Sequence, residues 1–316
     1  MVPEVQADRR RTRRSTWLLG SALLLIGLTA ILVFSLPAPG TPPDPLGAQV
    51  NRLQAELNTL RQEQSMPVTV LNQHRNSIGY IYGIYTYTGP QEVVGKRRPA
   101  RTRFSGTGFV VAKGLLATNR HVAEPWFDDD EAARMLRRGA RPKLEKLLAF
   151  FPGQKQGVEV SLASVSTEDD LAVLRYDPAR VESALPPLRL AKTPGVPGDP
   201  VVVVGYPLGI AAMVAKSPRL VYRRLAQRTD DMAVASELAS LSLIRPSATF
   251  GHLGDVVDEK LIYDAVTAHG GSGGPVFNAR GEVIGVNTAY LDGFSGSTLG
   301  VSVTALHALV ETAQTR

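Results

Sequence analysis

The chain has 316 residues, of which 44% are hydrophobic and 20% charged. This balance excludes a disordered protein and leaves length for one large domain or two of ordinary size. The net charge is +6, but residues 1–16 hold five arginines against two acids, so half of the excess is confined to one tail. No basic stripe interleaved with aromatics marks a nucleic-acid surface, and no nucleic-acid partner is expected. There is no cysteine, which excludes a disulfide framework, a thiolate nucleophile and any zinc site built on Cys, and is compatible with an oxidising compartment.

The tail of Arg9, Arg10, Arg11, Arg13 and Arg14 runs into residues 17–36, which carry no charge. That is the length of a membrane-spanning helix, and the arginines hold the tail on the cytoplasmic side. The expectation is a single-pass anchor in the inner (cytoplasmic) membrane, with everything after it periplasmic or otherwise extracytoplasmic. A cleaved signal peptide is the competing reading. It calls for a shorter apolar region and a small-x-small exit, and Leu36-Pro-Ala-Pro39 is a poor one. Residues 37–49, with Pro37, Pro39, Pro42, Pro43 and Pro45, read as a stiff spacer.

Residues 50–66 then read as a short coiled-coil-like helix. Val50, Leu53, Leu57 and Leu60 fall at alternating steps of three and four, the seam of about two heptads. So short a helix is marginal alone, which leaves two outcomes, a homo-oligomer through residues 50–66 or docking on the domain that follows.

From residue 68 the texture is that of strands. Short β-branched, aromatic or alternating runs bounded by glycine turns occur at residues 78–87, 106–111, 114–118, 157–165 and 171–176. Others follow at 201–209, 247–250, 261–266, 275–278 and 282–288. Residues 124–151 break the pattern. Acids at 128–131 precede Ala132 and arginines close the run at 138, which predicts a capped helix; a second short helix is read over 142–150. The acids lack the spacing of a calcium loop, and no metal or cofactor is expected. Residues 211–244 are helical by composition, and Leu306, Leu309 and Val310 predict a closing amphipathic helix. Many short strands in two runs argue for an all-β barrel or sandwich architecture.

Chemistry concentrates at His269-Gly-Gly-Ser272-Gly-Gly-Pro275. A serine on a tight glycine turn exposes neighbouring N–H groups, and an acyl-transfer nucleophile needs such fixed donors beside it. The plain alternative is a glycine-rich hairpin with an incidental serine, so a base and an orienting acid are required. Of the five histidines, His74, His121, His252, His269 and His307, His121 directly follows a strand and suits a general base. His252 reads as part of a Gly-His-Leu-Gly turn, and His269 sits on the serine's own turn. Asp170 abuts the strand at 171–176 and suits the orienting acid; Asp169 reads as its solvent-facing neighbour.

Gly106-Thr-Gly-Phe-Val-Val111, Ala117-Thr-Asn-Arg-His121, Asp170-Leu-Ala-Val-Leu174, Asp264-Ala265 and Gly270-Gly-Ser272-Gly-Gly-Pro275, in that order, resemble the trypsin-like serine peptidases, most closely the bacterial HtrA/Deg branch. The resemblance covers roughly residues 68–313 outside the two insertions. It implies two six-stranded antiparallel β-barrels, the first over 67–186 with the insertion 124–151, the second over 187–316 with the insertion 211–244. It implies a catalytic triad of His121, Asp170 and Ser272, an oxyanion hole from the amides of Gly270 and Ser272, and polypeptide substrates lying along residues 286–288. Val266 takes the place of the pocket base, with Tyr290 as a wall, so that Val266, Val286, Asn287, Thr288 and Tyr290 would contact substrate and cleavage after Lys or Arg is not expected. Two departures stand out. Gly271 replaces the Asn or Asp usual in this branch before the serine, which removes a side chain from the turn. No PDZ domain follows within these 316 residues.

Overall fold

The structure, a computed structural model, describes residues 45–90, 101–127, 129–290 and 298–315. The predicted membrane span, the tail and most of the proline-rich spacer lie outside them. Among the described residues no helix is long and apolar enough to cross a membrane. The chain divides into two units, residues 1–59 and 60–316.

Helix α1 runs from Pro45–His74, eight residues past the predicted end. Val68-Thr-Val70 has strand-forming side chains, but Met66 and Val70 stand one helical turn apart and both are buried. Burial on the helical period outweighs local propensity there, and Pro67 is carried inside the helix.

The strands close into two antiparallel barrels. The first contains β1 (Ile78–Thr88), β2 (Thr102–Ala112), β3 (Leu115–Thr118), β4 (Arg141–Phe150), β5 (Val158–Val165) and β6 (Ala172–Tyr176), in spatial order β1-β2-β3-β6-β5-β4. The second contains β7 (Pro200–Gly205), β8 (Ser247–Val257), β9 (Lys260–Tyr263), β10 (Pro275–Phe277), β11 (Val283–Tyr290) and β12 (Thr298–Ser302), in the order β10-β11-β12-β9-β8-β7. Alternation along each strand decides what it faces. Ile81, Val110, Leu116 and Leu174 belong to one buried cluster of the first barrel, and Val201, Val203, Val276 and Ile284 to one of the second. Their neighbours Tyr80, Tyr82, Val202, Val204 and Phe277 join a third cluster that holds the barrels together.

Helix α2 is the single turn Arg120–Ala123 and α3 is Asp130–Arg137. Asp129 caps α3, its carboxylate accepting from the Ala132 amide at 2.6 Å, which accounts for the acid run as capping. The second predicted helix of that region is instead β4. Lys143-Leu-Glu-Lys-Leu-Leu148 is rich in helix formers, but nine residues of β1 pair with β4, and tertiary pairing overrides propensity. His252 likewise lies inside β8 rather than on a turn. Gly251 lets the strand pass within reach of Asp264 and Ala265, where a Cβ would meet backbone at 2.4 Å, and the His252 amide donates to Asp264 Oδ1 at 2.6 Å.

The later insertion forms helices α4 (Gly209–Ala215), α5 (Arg219–Leu225) and α6 (Asp231–Ser240). It leaves from the second barrel and is held to the first, since Arg103 of β2 donates to the Thr229 carbonyl at 2.9 Å. Met213, Leu225, Val234 and Leu238 bury into the cluster between barrels. The closing helix α7, Val303–Gln314, adds Leu306, Leu309 and Val310 to that cluster, and Arg175 of β6 donates to its Ala313 carbonyl at 3.0 Å.

Candidate active site

Each side chain of the predicted triad lies within three residues of a strand end. β3 stops at Thr118, and α2 carries His121 away from it. Asn119, fully buried, donates to the Asp170 carbonyl at 2.8 Å, which fixes the chain on both sides of the histidine. The His121 amide donates to Asp170 Oδ1 at 3.0 Å, and Nδ1 of its ring lies 2.7 Å from Asp170 Oδ2. An ionised carboxylate only accepts, so Nδ1 carries the proton and Nε2 is left as the basic nitrogen. Asp169, which the sequence set aside, holds its amide and carboxylate on Ser166. Burial, then the charges of Glu259 and Glu168, raise its carboxyl.

Burial pushes the Asp170 carboxyl up, but the bonds and charge of His121 and the bond from Thr288 outweigh it, and the group stays below the ordinary carboxylate range. It is therefore the ionised partner that an imidazolium requires.

Ser272 sits on the turn before β10. Gly270 has φ +91° and Gly273 φ +84°, angles that favour glycine. Space also demands it: a Cβ on Gly273 would lie 2.1 Å from the Thr107 carbonyl oxygen, and one on Gly270 2.5 Å from that of Tyr206. The turn is bound to both barrels. Thr107 of β2 donates its amide to the Ser272 carbonyl at 2.8 Å and its hydroxyl to the Gly270 carbonyl at 2.7 Å. The same hydroxyl accepts from the Tyr206 amide at 3.0 Å.

The Leu208 amide donates to the His269 carbonyl at 2.6 Å. A trans peptide points its C=O and N–H in opposite directions, so this bond turns the Gly270 N–H away from Leu208. Among the described residues neither the Gly270 nor the Ser272 amide donates to a backbone carbonyl, leaving both as free donors on one turn.

Thr288 joins the three side chains. Its hydroxyl donates to Asp170 Oδ2, and its carbonyl accepts from Ser272 Oγ at 2.8 Å. The sequence reading names Thr288 only as a substrate contact. The link spans 118 residues to Asp170, and no local pattern announces it.

The remaining predicted contacts are redistributed. Val286 and Asn287 are fully buried. β11 is flanked by β10 as far as Val286 and by β12 as far as Tyr290. Asn287 exchanges its amide and carbonyl with Gly274 and Gly273, while its side chain accepts from the Tyr263 hydroxyl at 2.7 Å and donates to Thr267 at 3.1 Å. Neither residue has a free backbone edge or side chain for a peptide, so the open edge of β11 begins at Thr288. Val266 is 72% exposed. The side chain missing at Gly271 leaves no gap in the turn: the Gly271 amide donates to the Ala268 carbonyl at 2.9 Å, and Thr267 Oγ fills the space, 2.5 Å from where a Cβ would stand.

Two six-stranded barrels, a carboxylate-held histidine and a serine on a donor-lined turn define the architecture of a chymotrypsin-like serine hydrolase. Residues 106–286 match the trypsin-like peptidase domain family, over half of the chain, and the protein belongs to that family. Its relatives are HtrA- and Deg-type. It is 28% identical over 217 residues to a putative serine protease HhoA of Synechocystis, covering 68% of this chain and 44% of that protein. It is 30% identical over 224 residues to the mitochondrial serine protease HTRA2 of Bos taurus, covering 68% and 39%. The chain thus spans less than half the length of these curated relatives. Among solved structures, a serine endoprotease from Yersinia pestis aligns over 77% of this chain and 65% of its own, at 19% identity and a TM-score of 0.49.

Proposed function

We propose that this protein is a membrane-anchored serine endopeptidase that hydrolyses peptide bonds of extracytoplasmic proteins through an acyl-enzyme. The observation that carries the reading is the His121 Nδ1 to Asp170 Oδ2 contact at 2.7 Å, tied through Thr288 to the Ser272 hydroxyl. Ser272 attacks the scissile carbonyl, and His121 Nε2 takes the hydroxyl proton and returns it to the leaving amine. Asp170 stays ionised and stabilises the imidazolium between the two transfers. The Gly270 and Ser272 amides receive the developing oxyanion, a contribution of about 2.7–4 kcal/mol for each donor. The extended substrate adds to the β11 edge from Thr288 onward. The anchor is supported by the arginine cluster and the uncharged run at residues 17–36.

One contact favours a second reading, in which the site rests inactive until substrate or a partner arrives. The Ser272 hydroxyl donates its hydrogen bond to the Thr288 carbonyl, an acceptor too weak a base to take the proton. An incoming peptide N–H that bonds this carbonyl frees the hydroxyl to turn toward His121, in keeping with catalytic hydrogen bonds that tighten only in the complex.

An active-site serine probe tests both. Fluorophosphonate labelling of the full chain, lost in Ser272→Ala and in His121→Ala, supports the peptidase. An extended peptidyl phosphonate that labels much faster than the small probe supports the resting state. No labelling by either, alone or with added peptide, overturns both and leaves a silent peptide-binding module.

A further inference from the structure

Helix α1 carries an exposed apolar row. Leu46, Val50, Leu53, Leu57 and Leu60 follow one another at steps of four, three, four and three, and all are between 44% and 68% exposed. Farther along the same helix Met66 and Val70 are buried. The exposed row is a heptad seam, with Val50 and Leu57 at positions a and Leu46, Leu53 and Leu60 at positions d.

The flanking residues identify what covers it. In this register Glu56 falls at g and Arg61 at the following e. A parallel, in-register pair sets each g beside the next e of the other helix, so Glu56 of one copy meets Arg61 of the second, twice by symmetry. The same alignment sets Gln49 beside Gln54. An antiparallel pair instead sets g against g, and Glu56 would face its own copy at the centre of the seam. Within the helix, Glu56 Oε1 accepts from Arg52 at 3.0 Å, and both side chains are exposed. Arg52 lies at c, away from the seam, so the pair leaves Glu56 Oε2 for a neighbour. Val50 at one of the two a positions, with leucine at every d, favours two strands.

We propose that residues 46–63 bind a second copy of this chain as a parallel, in-register, two-stranded coiled coil. The seam is two to three heptads long, so association is weak and rises with concentration. This inference is independent of peptidase activity.

The chain has no cysteine, so single cysteines report the pairing directly. The full chain in mild detergent, carrying Leu53→Cys or Leu60→Cys, is oxidised with copper phenanthroline and run on a non-reducing gel. Ala55→Cys and Gln62→Cys, at the outward f positions, serve as controls. In a parallel coil a d residue faces its own copy within disulfide reach while an f residue does not, so about tenfold more dimer is expected at d than at f. Glu56→Arg and Arg61→Glu should each lower the Leu53→Cys cross-link, and together restore it. Equal cross-linking at f and d overturns the proposal. So does a mixed Val50→Cys and Leu60→Cys pair forming more readily than either alone, which marks an antiparallel helix pair. A monomer whose Leu53→Cys thiol resists alkylation also overturns it, because the seam is then docked on its own barrels.

Discussion

Thr288 holds Asp170 from one side while His121 holds it from the other, and both donate to the same oxygen, Oδ2. Burial drives this carboxyl up, and these two partners bring it below the ordinary range. Thr288→Val removes one of them. The Asp170 carboxyl then titrates higher, and the ionised form that an imidazolium at His121 would need is lost at a higher pH. We expect Ser272 labelling to slow about tenfold at neutral pH, roughly 1.4 kcal/mol, and the acid limb of its pH profile to move upward. Thr288→Ser keeps the hydroxyl and should keep both rate and profile. An unmoved acid limb in Thr288→Val would show that the contact is only structural.

Thr107 gives a second test, because its one hydroxyl donates to Gly270 of the serine turn and accepts from the Tyr206 amide. The side chain is fully buried, so Thr107→Val leaves a carbonyl and an N–H without partners. Each costs about 1–3 kcal/mol, and the serine turn keeps only its backbone tie to the first barrel, from the Thr107 amide to the Ser272 carbonyl. Denaturant unfolding should show a loss of about 2 kcal/mol or more, accompanied by slower labelling of Ser272. Thr107→Ser should behave as wild type in both measurements. A stable Thr107→Val with normal labelling would count against the turn being held from β2.

Why His121, Asp170 and Ser272 stand out in the sequence and the threonines that hold them do not follows from range. His121 and Asp170 each abut a strand with a clear apolar run, and Ser272 stands among glycines whose positive φ and crowded backbone leave no other choice. Thr107 and Thr288 act across 163 and 118 residues, and nothing beside them in the chain marks the contact. The same limit explains the two strands that residue patterns leave out. β4 is written in helix formers and becomes a strand by pairing with β1. β12 is a five-residue segment that pairs with β9 and β11 on its two sides. Asn287 falls in the run 286–288 that the resemblance assigns to substrate, yet Tyr263 and Thr267 occupy its side chain.

Gly271 stands where the HtrA/Deg branch usually carries Asn or Asp, and the structure gives that departure a partner. Thr267 Oγ lies 2.5 Å and the Ala268 carbonyl 3.0 Å from the place of a Cβ, and Thr267 accepts from Asn287 at 3.1 Å. A side chain at 271 must displace Thr267 and break that bond. Gly271→Asn, the residue typical of the branch, should therefore destabilise this protein by about 1–3 kcal/mol. In a double-mutant cycle with Thr267→Ala, which clears the space, part of the loss should return as a favourable coupling. Additive effects would mean that Thr267 does not fill the missing side chain's room.

His74 ends α1 with its ring stacked on Phe277 of β10, centroids 5.0 Å apart and planes 13° from parallel. Its Nε2 is buried without a partner, and burial lowers its pKa from the ordinary 6.5. The folded protein thus favours neutral imidazole, while the unfolded chain protonates near the ordinary value. The stabilisation is complete above about pH 6.5 and is lost as pH falls below it, through the lower folded value. Thermal or denaturant unfolding between pH 7.5 and 5 should show stability dropping on the acid side. His74→Phe preserves the stack on Phe277 and removes the titrating group, so this part of the slope should flatten. A slope unchanged in His74→Phe would assign the acid sensitivity to other groups, Asp170 excluded, because its depressed carboxyl contributes above the carboxylate range and is lost only at lower pH.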